Sequence, residues 1–257
     1  MQRPATPSTA AHDVTSHERR LLAACVRLLH MEGLVTYNGH VSMRMPGADA
    51  FLIHSLVDSR AEIAPERLLV VGFDGAALEG PADLEPPSEY PIHAEIYRAR
   101  EDVGAVAHIH SENAIAFTLV EGVELTAMRC DALDWAGGVP VHADPTRIKS
   151  AAQGRALAAS LGDGDAVLLR AHGAVLTARS VIEVFKTCIQ FEENARAQLL
   201  ASRLGKIAPL TAAELDALRA SHPAEFRAHY ARKIWHYYVK QGRRAGLIPE
   251  AWLEGLL

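Results

Sequence analysis

Three histidines occupy positions that suit a metal ion. His108 and His110 end the apolar run 104–110 (GAVAHIH), which predicts a buried strand. Side chains two residues apart on a strand point to the same face, so these two imidazoles can share one ion. His172 follows a second apolar run of strand length, residues 166–170. Three imidazoles with a fourth position left open are typical of a catalytic divalent metal.

The bare histidine pattern leaves an alternative open. A His-x-His pair is a weak motif in a chain with 13 histidines, because buried histidines often form ordinary hydrogen bonds. A closed structural zinc site is disfavoured, since Cys25, Cys130 and Cys188 lie in apolar segments and lack ligand spacing. The third histidine on a separate predicted strand, together with an upstream carboxylate, favours the catalytic metal.

That carboxylate is Glu89, in the segment 86–93 (PPSEYPIH). Ser88 or the prolines are expected to start a helix over about 88–99, which places Glu89 in the first turn. An acidic residue there is also explained by the helix dipole alone. Glu89 is therefore a candidate acid or base beside the histidines, with an ordinary helix-terminal role as the alternative.

Composition limits the classes of function. The chain has 257 residues, of which 49% are apolar, so it can bury a large core as one domain. Its formal net charge is −5, and no basic stripe is present that would neutralise nucleic-acid phosphates. The most basic stretch, residues 227–244, is interpreted as an amphipathic C-terminal helix with a solvated charged face. We therefore expect no nucleic-acid partner.

The sequence also predicts where the protein works. No apolar run approaches the ~18 residues of a membrane span, so no membrane association is expected. Residues 1–12 lack the apolar centre of a secretory signal and are predicted to be a disordered tail. The low, odd cysteine count fits a reducing compartment. These features predict a cytoplasmic protein with one domain over residues 13–257, including a C-terminal helical extension.

Hydrophobic periodicity predicts alternating helices and strands. Thr15 and Glu18 form a capping box that begins a helix, and Gly33 ends it. The other predicted helices cover about 88–99, 112–120, 146–160 and 179–203, with one or two more at the C-terminus. The predicted strands cover 41–45, 51–54, 68–73, 104–110, 124–129 and 166–170, and the main loops are 79–87 and 137–145. This order predicts a three-layer α/β/α sandwich with a central mixed, largely antiparallel sheet.

Four segments together resemble the class II aldolase/adducin superfamily. They are residues 33–44 (GLVTYNGHVSMR), 88–97 (SEYPIHAEIY), 103–111 (VGAVAHIHS) and 168–175 (LLRAHGAV). The resemblance implies an α/β/α sandwich. It also implies a homotetramer whose active sites lie where subunits meet.

The resemblance further implies roles for single residues. His108, His110 and His172 match the metal ligands, and Glu89 matches an acid/base that can also coordinate the metal. The loop that binds substrate oxygens in relatives corresponds to residues 38–42, which makes Asn38, His40 and Ser42 candidate substrate contacts. The adducin branch uses the fold as a scaffold without the metal histidines. A non-catalytic scaffold is therefore the alternative to an enzyme for this chain.

One departure from the family narrows the substrate. Sugar-phosphate members carry a glycine-rich phosphate loop after the second strand, but this chain has His54–Arg60 (HSLVDSR) with no glycine. A phosphate nest needs close backbone approach, so a phosphorylated sugar is disfavoured. The segment resembles that of decarboxylases acting on hydroxylated aromatic or pyridine dicarboxylates. Arg60 is a candidate for a substrate carboxylate, and Ser55 and Ser88 complete the predicted substrate contacts.

The sequence thus predicts a divalent-metal-dependent carbon–carbon lyase. The expected reaction is decarboxylation of a small hydroxylated aromatic or heteroaromatic carboxylate, with the metal as electron sink. Glu89 is the expected acid/base; His93, one turn later, either assists or positions, and His40 is an alternative donor. An aldolase acting on an unphosphorylated hydroxy-keto acid or aldehyde is the second hypothesis. Zinc is the first choice of metal, with manganese, iron or cobalt as alternatives.

Overall fold

The structure is a computed structural model that describes residues 14–257; the predicted tail at 1–12 lies outside the described residues. The helices are α1 Ser16–Met31, α2 Pro91–Ala99, α3 Glu112–Ala116, α4 Ala151–Leu161, α5 Val181–Ser202, α6 Ala212–Ser221, α7 Ala224–Arg244 and α8 Leu253–Leu256. The strands are β1 His40–Arg44, β2 Ala50–Ile53, β3 Leu69–Gly72, β4 Ala77–Glu79, β5 Ala105–Ile109, β6 Val141–His142, β7 Ala166–Leu169 and β8 Gly173–Ala178. Short 3-10 helices cover Pro65–Arg67, Leu133–Trp135 and Glu250–Trp252.

The described strands form one sheet in the order β4-β3-β2-β1-β5-β8-β7-β6. Every neighbouring pair is antiparallel except β6 and β7, which are parallel. The register pairs His40 of β1 with His108 of β5. The prediction of a mixed, largely antiparallel sheet is confirmed.

Helices cover both faces of the sheet. On β5, Ala107 and Ile109 pack in the core shared with α1 and α5, while Val106 packs in the core shared with α2 and α4. Because β2, β3, β5 and β7 are covered on both sides, they are buried along their whole length, whereas the edge strand β4 is exposed. The structure is the predicted three-layer α/β/α sandwich.

Helix ends follow the capping residues. Thr15 and Glu18 form the predicted capping box of α1. Ser150 and Gln153 form a second capping box, so α4 begins at Ala151 and the predicted helical start at 146 is wrong. The predicted helix over 112–120 ends earlier, at Ala116. Capping chemistry sets the first helical residue more strongly than apolar periodicity does.

Residues 124–129 do not form the predicted strand. Their backbone is hydrogen-bonded to side chains of α5 instead: Thr126 N donates to Gln198 Oε1 (3.0 Å) and Met128 N donates to Asn194 Oδ1 (2.9 Å). The two side-chain amides donate back to carbonyls of the same segment. The polar groups are therefore satisfied by a helix, and no neighbouring strand is needed.

Three strands and one further helix boundary differ from the sequence prediction. β4 was not predicted, and its last residue, Glu79, lies in the predicted loop 79–87. β8 was not predicted, yet it lies between β5 and β7, so the two histidine-bearing strands are not neighbours. β6 lies inside the predicted loop 137–145. The helix after the proline-rich loop begins at Pro91, so Glu89 precedes the helix and is not in its first turn. A proline suits the first helical position because it has no amide hydrogen to leave unpaired.

The described part of the chain contains no helix that is both long and apolar enough to cross a membrane.

Candidate metal centre

The structure brings the three predicted ligand histidines together. The ring centroids of His108, His110 and His172 are 4.7, 4.9 and 5.1 Å apart in pairs. One ring nitrogen from each lies within 4.8 Å of the others. The β5 strand supplies the first two, and the turn between β7 and β8 supplies the third.

The fold orients His108 through its second ring nitrogen. His108 is fully buried, and its Nδ1 donates to the Ala174 carbonyl of β8 at 3.1 Å. The proton is therefore on Nδ1, which leaves the lone pair of Nε2 free to face the cluster. That Nε2 is 3.1 Å from Nε2 of His110. Two nitrogens bound to a tetrahedral zinc lie roughly 3.3 Å apart, so the spacing fits a shared ion.

His172 is presented by an unusual turn. Ala171 has φ of +54°, the one non-glycine residue between 14 and 257 with a positive φ. Two bonds hold the turn: Ala171 N donates to Thr118 Oγ1 at 2.9 Å, and Arg170 Nη1 donates to the Thr118 carbonyl at 2.9 Å. His172 N donates to the Leu169 carbonyl at 3.1 Å. Thr118 thus fixes the backbone from which the third imidazole projects.

Glu89 lies at the open side of the cluster. Its Oε2 is 3.9 Å from His172 Nε2, and both side chains are largely buried. Its Oε1 accepts a hydrogen bond from the Ile148 amide at 3.2 Å, which fixes the carboxylate. An oxygen of Glu89 also lies within 4.8 Å of ring nitrogens of His40 and His108. A carboxylate in this place can coordinate an ion or exchange a proton with a bound molecule.

The electrostatics keep the three imidazoles neutral. Burial lowers the pKa of His108 well below its usual range, and the neighbouring His110 and His172 lower it further. Burial, His172 and Arg147 lower the pKa of His110 to about 4. Burial also lowers the pKa of His172, although the nearby Glu89 opposes this shift. Neutral imidazoles are the form that binds metals, so the residues present fit a divalent ion.

A buried chain of hydrogen bonds lies behind the cluster. His40 Nδ1 is 2.6 Å from His93 Nε2, and His93 Nδ1 is 2.6 Å from Ser42 Oγ. Ser42 Oγ is 2.8 Å from the Tyr97 hydroxyl. We call these four residues the histidine relay. Both nitrogens of His93 and the hydroxyl of Ser42 are engaged inside the relay, so only His40 lies next to the cluster.

The remaining predicted substrate residues are spread around the same end of the sheet. Arg60 is buried, and its Nε donates to the Gly39 carbonyl at 3.2 Å. Ser55 is buried and its Oγ accepts from the Asp58 amide at 3.1 Å. Asn38 is half-buried, and Ser88 is exposed. Only Arg60 among these carries a charge suited to a carboxylate.

Sequence reasoning missed several residues of this region. Tyr97 lies four residues after His93 on α2, and this helical spacing could have placed the two side chains on one helix face. His54 was noted only as part of the glycine-free segment, but it is fully buried beside His40, with ring centroids 6.5 Å apart. Arg147, an exposed cation that affects two cluster histidines, and Thr118 carry no local sequence pattern.

Comparison with known proteins agrees with this geometry. Residues 20–199 match the family model described as Class II Aldolase and Adducin N-terminal domain. A 3,4-dihydroxyphthalate decarboxylase from Rhodococcus jostii is 33% identical over 181 residues, which cover 66% of this chain and 72% of that protein. A 3,4-dihydroxyphthalate decarboxylase from Terrabacter sp. is 30% identical over 221 residues, or 78% and 88% of the two chains.

A solved structure supports the fold. The aldolase II superfamily protein from Pseudomonas syringae superposes with a TM-score of 0.81 at 24% identity, covering 92% of this chain and 97% of that one. At this level of identity the likeness concerns the fold alone, and it agrees with the three-layer arrangement described above.

Proposed function

Because the chain belongs to the class II aldolase and adducin family, we propose that it removes carbon dioxide from a hydroxylated aromatic or heteroaromatic carboxylate. The chain is a lyase, as its decarboxylase and aldolase relatives are. The alternative of a non-catalytic, adducin-like scaffold is disfavoured, because His108, His110 and His172 lie together with Glu89 beside them. The observation that carries the proposal is this cluster of neutral imidazoles lying close to Glu89.

The charges around the cluster support an acidic substrate. Arg60 is buried, and no carboxylate of the described residues lies within ion-pair distance of it. Asp58, two residues before it, pairs instead with Arg67 at 2.7 Å. Arg147 adds a second positive charge beside His110 and His172. Arg60 near His40 and Arg147 near the cluster favour a substrate that brings its own negative charge.

The proposed reaction breaks the bond between a ring carbon and a carboxylate. A proton first adds to the ring carbon that carries the carboxylate, while the neighbouring hydroxyl loses its proton and becomes a carbonyl. Carbon dioxide then leaves, and the electron pair of the broken bond moves to that oxygen, which restores the aromatic ring as a phenolate. A divalent ion held by His108, His110 and His172 supplies the positive charge that stabilises this oxygen. Glu89 is the proposed proton donor, since the Ile148 amide holds its carboxylate in one orientation.

The metal is proposed to be zinc, with manganese, iron or cobalt as alternatives. Three imidazoles suit zinc, iron and cobalt, while the addition of the Glu89 carboxylate admits manganese. Elemental analysis of the purified protein tests this choice. One equivalent of a divalent transition metal per chain is the expected result.

The test of the proposed function is carbon dioxide release. Dihydroxyphthalates and hydroxypyridine dicarboxylates are incubated with metal-loaded protein, and carbon dioxide and the ring product are measured together. The Glu89→Gln variant should keep the fold and most of the metal but lose turnover. The doubly substituted His108→Ala, His110→Ala variant should lose metal and activity. Full turnover in Glu89→Gln would remove this residue from the proposal.

Aldol cleavage is the second candidate, because the same cluster and carboxylate can stabilise an enolate. The observation that favours it is the family itself, whose name includes the aldolases. Release of an aldehyde from an unphosphorylated hydroxy-keto acid, without carbon dioxide, is the result that would select it.

We also propose that the chain works in the cytoplasm as a homotetramer with active sites at subunit contacts. Exposed apolar side chains support a contact near the site: Leu119, Val120 and Val141 are each 45–59% exposed. The first two follow directly after Thr118, which holds the turn of His172. Light scattering of the purified protein measures the assembly, and a monomeric mass would exclude the tetramer.

A further inference from the structure

His40 carries a buried polar atom for which the described residues provide no partner. Its Nε2 is buried and makes no hydrogen bond, although the residue is only 4% exposed. A ring nitrogen of His40 lies within 4.8 Å of a Glu89 oxygen and a His108 nitrogen. Unpaired buried polar atoms are rare and costly, so this atom calls for a ligand.

Two roles are possible for that nitrogen. If Nε2 carries a lone pair, His40 can be a fourth metal ligand, as the grouping of His40, Glu89 and His108 suggests. If Nε2 carries the proton, His40 cannot bind a metal and instead donates a hydrogen bond. The two roles are decided by the direction of the hydrogen bonds in the histidine relay.

The far end of the relay sets this direction. The Tyr97 hydroxyl has one hydrogen-bond partner among the described residues, and that partner belongs to the relay. Among the described residues, Ser42 Oγ is the acceptor available for the Tyr97 proton, at 2.8 Å. The opposite direction would leave that proton unpaired in the core, since Tyr97 is 1% exposed.

The remaining links follow in order. Ser42, which accepts from Tyr97, donates to His93 Nδ1 at 2.6 Å. His93 then carries its proton on Nε2 and donates to His40 Nδ1 at 2.6 Å. A neutral imidazole holds one proton, so a His40 that accepts at Nδ1 must carry its proton on Nε2. The relay makes His40 a donor toward the cluster.

The surroundings of His40 select the group it can bind. Burial, neighbouring histidines and the positive charge of Arg60 lower the pKa of His40, and burial and Arg60 lower that of His54. Arg60 donates to the carbonyl of Gly39, the residue before His40. A hydrogen-bond donor in a region of positive potential favours an anionic oxygen.

We propose that His40 Nε2–H, supported by Arg60, binds a carboxylate that the substrate keeps, and that Tyr97, Ser42 and His93 are positioning residues for this donor. This inference rests on the proposed function and makes the substrate a dicarboxylate. One carboxylate is lost as carbon dioxide next to the ring hydroxyl, while the other stays on the product unchanged. His40 is then a specificity residue and no ligand of the metal.

The first test reads the proton on His40 directly. Protein labelled with ¹⁵N-histidine is studied by NMR, with His40→Gln used to assign the resonances of His40. The wild type should show the Nε2–H form, both without metal and with one equivalent of zinc. Tyr97→Phe should shift His40 toward a mixture of the two tautomers, whereas the control Tyr230→Phe, on α7, should not. A wild-type His40 with its proton on Nδ1 overturns the proposal.

The second test measures recognition of the retained carboxylate. Calorimetry on zinc-loaded protein compares 3,4-dihydroxybenzoate with catechol, which has the same two hydroxyls and no carboxylate. The wild type should bind the benzoate about tenfold or more tightly, because the bond involves a charged group. His40→Gln, whose amide can donate from a place near Nε2, should keep most of this preference. His40→Ala should lose it.

The two possible failures are distinguishable. A wild type that binds the benzoate no better than catechol, or a His40→Ala variant with the wild-type preference, refutes the carboxylate subsite. Absence of carbon dioxide release from every dicarboxylate, together with the expected tautomer and binding preference, refutes the proposed decarboxylation and leaves the subsite standing. Loss of the zinc equivalent in His40→Gln would show that His40 is a ligand after all.

Discussion

The turn that presents His172 makes the metal site depend on a residue that touches no metal. Thr118 is buried, and its hydroxyl takes part in two hydrogen bonds: it accepts from Ala171 N at 2.9 Å and donates to the Ile115 carbonyl at 2.7 Å. Thr118→Val keeps the shape of the side chain but removes both bonds. The turn is then free to relax from its left-handed conformation at Ala171.

The expected effect follows from the bond to Ala171 N, because the bond to Ile115 is local to the end of α3 and does not involve the turn of His172. That bond is worth about 1–1.5 kcal/mol. If its loss acts on the presentation of His172, the apparent affinity for metal falls about 5- to 10-fold, because 1.4 kcal/mol corresponds to a factor of ten. The β5 ligands His108 and His110 are not affected directly, so binding is weakened and not abolished.

Competition with a chelator of known zinc affinity measures this loss. Thr118→Ser is the matched control, since it keeps the hydroxyl and should remain within about threefold of the wild type. Circular dichroism of the metal-free variants checks that both fold. The reasoning is refuted if Thr118→Val binds zinc as tightly as Thr118→Ser while His172→Ala binds it poorly, because the turn would then not depend on the hydroxyl.

Three further predictions concern stability. Ala171→Gly removes the steric strain of a left-handed backbone (φ +54°), which is worth about 1–2 kcal/mol, and loses a smaller amount because glycine is more flexible in the unfolded chain. The melting temperature should therefore rise by about 1–4 °C, and a lower melting temperature would contradict this. Gly173→Ala places a methyl group 2.3 Å from the Ile109 carbonyl, so urea unfolding should show a loss of roughly 2–3 kcal/mol, and no loss would mean that β5 and β8 can separate freely. Burial lowers the pKa values of His54 and His93 from an ordinary 6.5 to about 3. As the pH falls below 6.5, the unfolded chain therefore binds protons at these histidines while the folded protein does not. Stability should be full above pH 6.5 and fall toward pH 3, by about 1.4 kcal/mol per pH unit for each histidine; equal unfolding free energies at pH 7 and pH 5 would speak against this.

Local sequence patterns predicted the parts of the fold that depend on local chemistry. The capping box at Thr15 placed the start of α1, and the apolar run before His108 placed β5. The spacing of His108 and His110 predicted their shared face, because this follows from the geometry of a single strand. The arrival of His172 beside them was expected from the strand ends and from the family resemblance.

Patterns failed where distant residues decide the structure. Residues 124–129 have the composition of a strand, but Asn194 and Gln198, about 70 positions later, satisfy their backbone. Residues 173–178 also form a strand that was not predicted; it begins at Gly173, directly after His172, and pairs both with the nearby β7 and with the distant β5. The partners in α5 and β5 lie far away in sequence, where local patterns carry no signal.

The histidine relay shows the same limit at the site. His40 and Ser42 lie on β1, whereas His93 and Tyr97 lie on α2, about 50 residues later. Their contact depends on how the helix packs on the sheet, which no periodicity reveals. His93 was expected to assist in catalysis or to position another group, and its two engaged nitrogens favour the second role.

The imidazoles of the cluster differ in their burial and in the hydrogen bonds that hold them. His108 is buried in the sheet and hydrogen-bonded to β8, whereas His172 projects from a turn next to the exposed Ala171. His172 therefore lies on the side of the cluster that faces solvent. We expect ions to enter and leave past His172. Substitutions at Ala171 should then change the rate of ion exchange more than substitutions on β5 do.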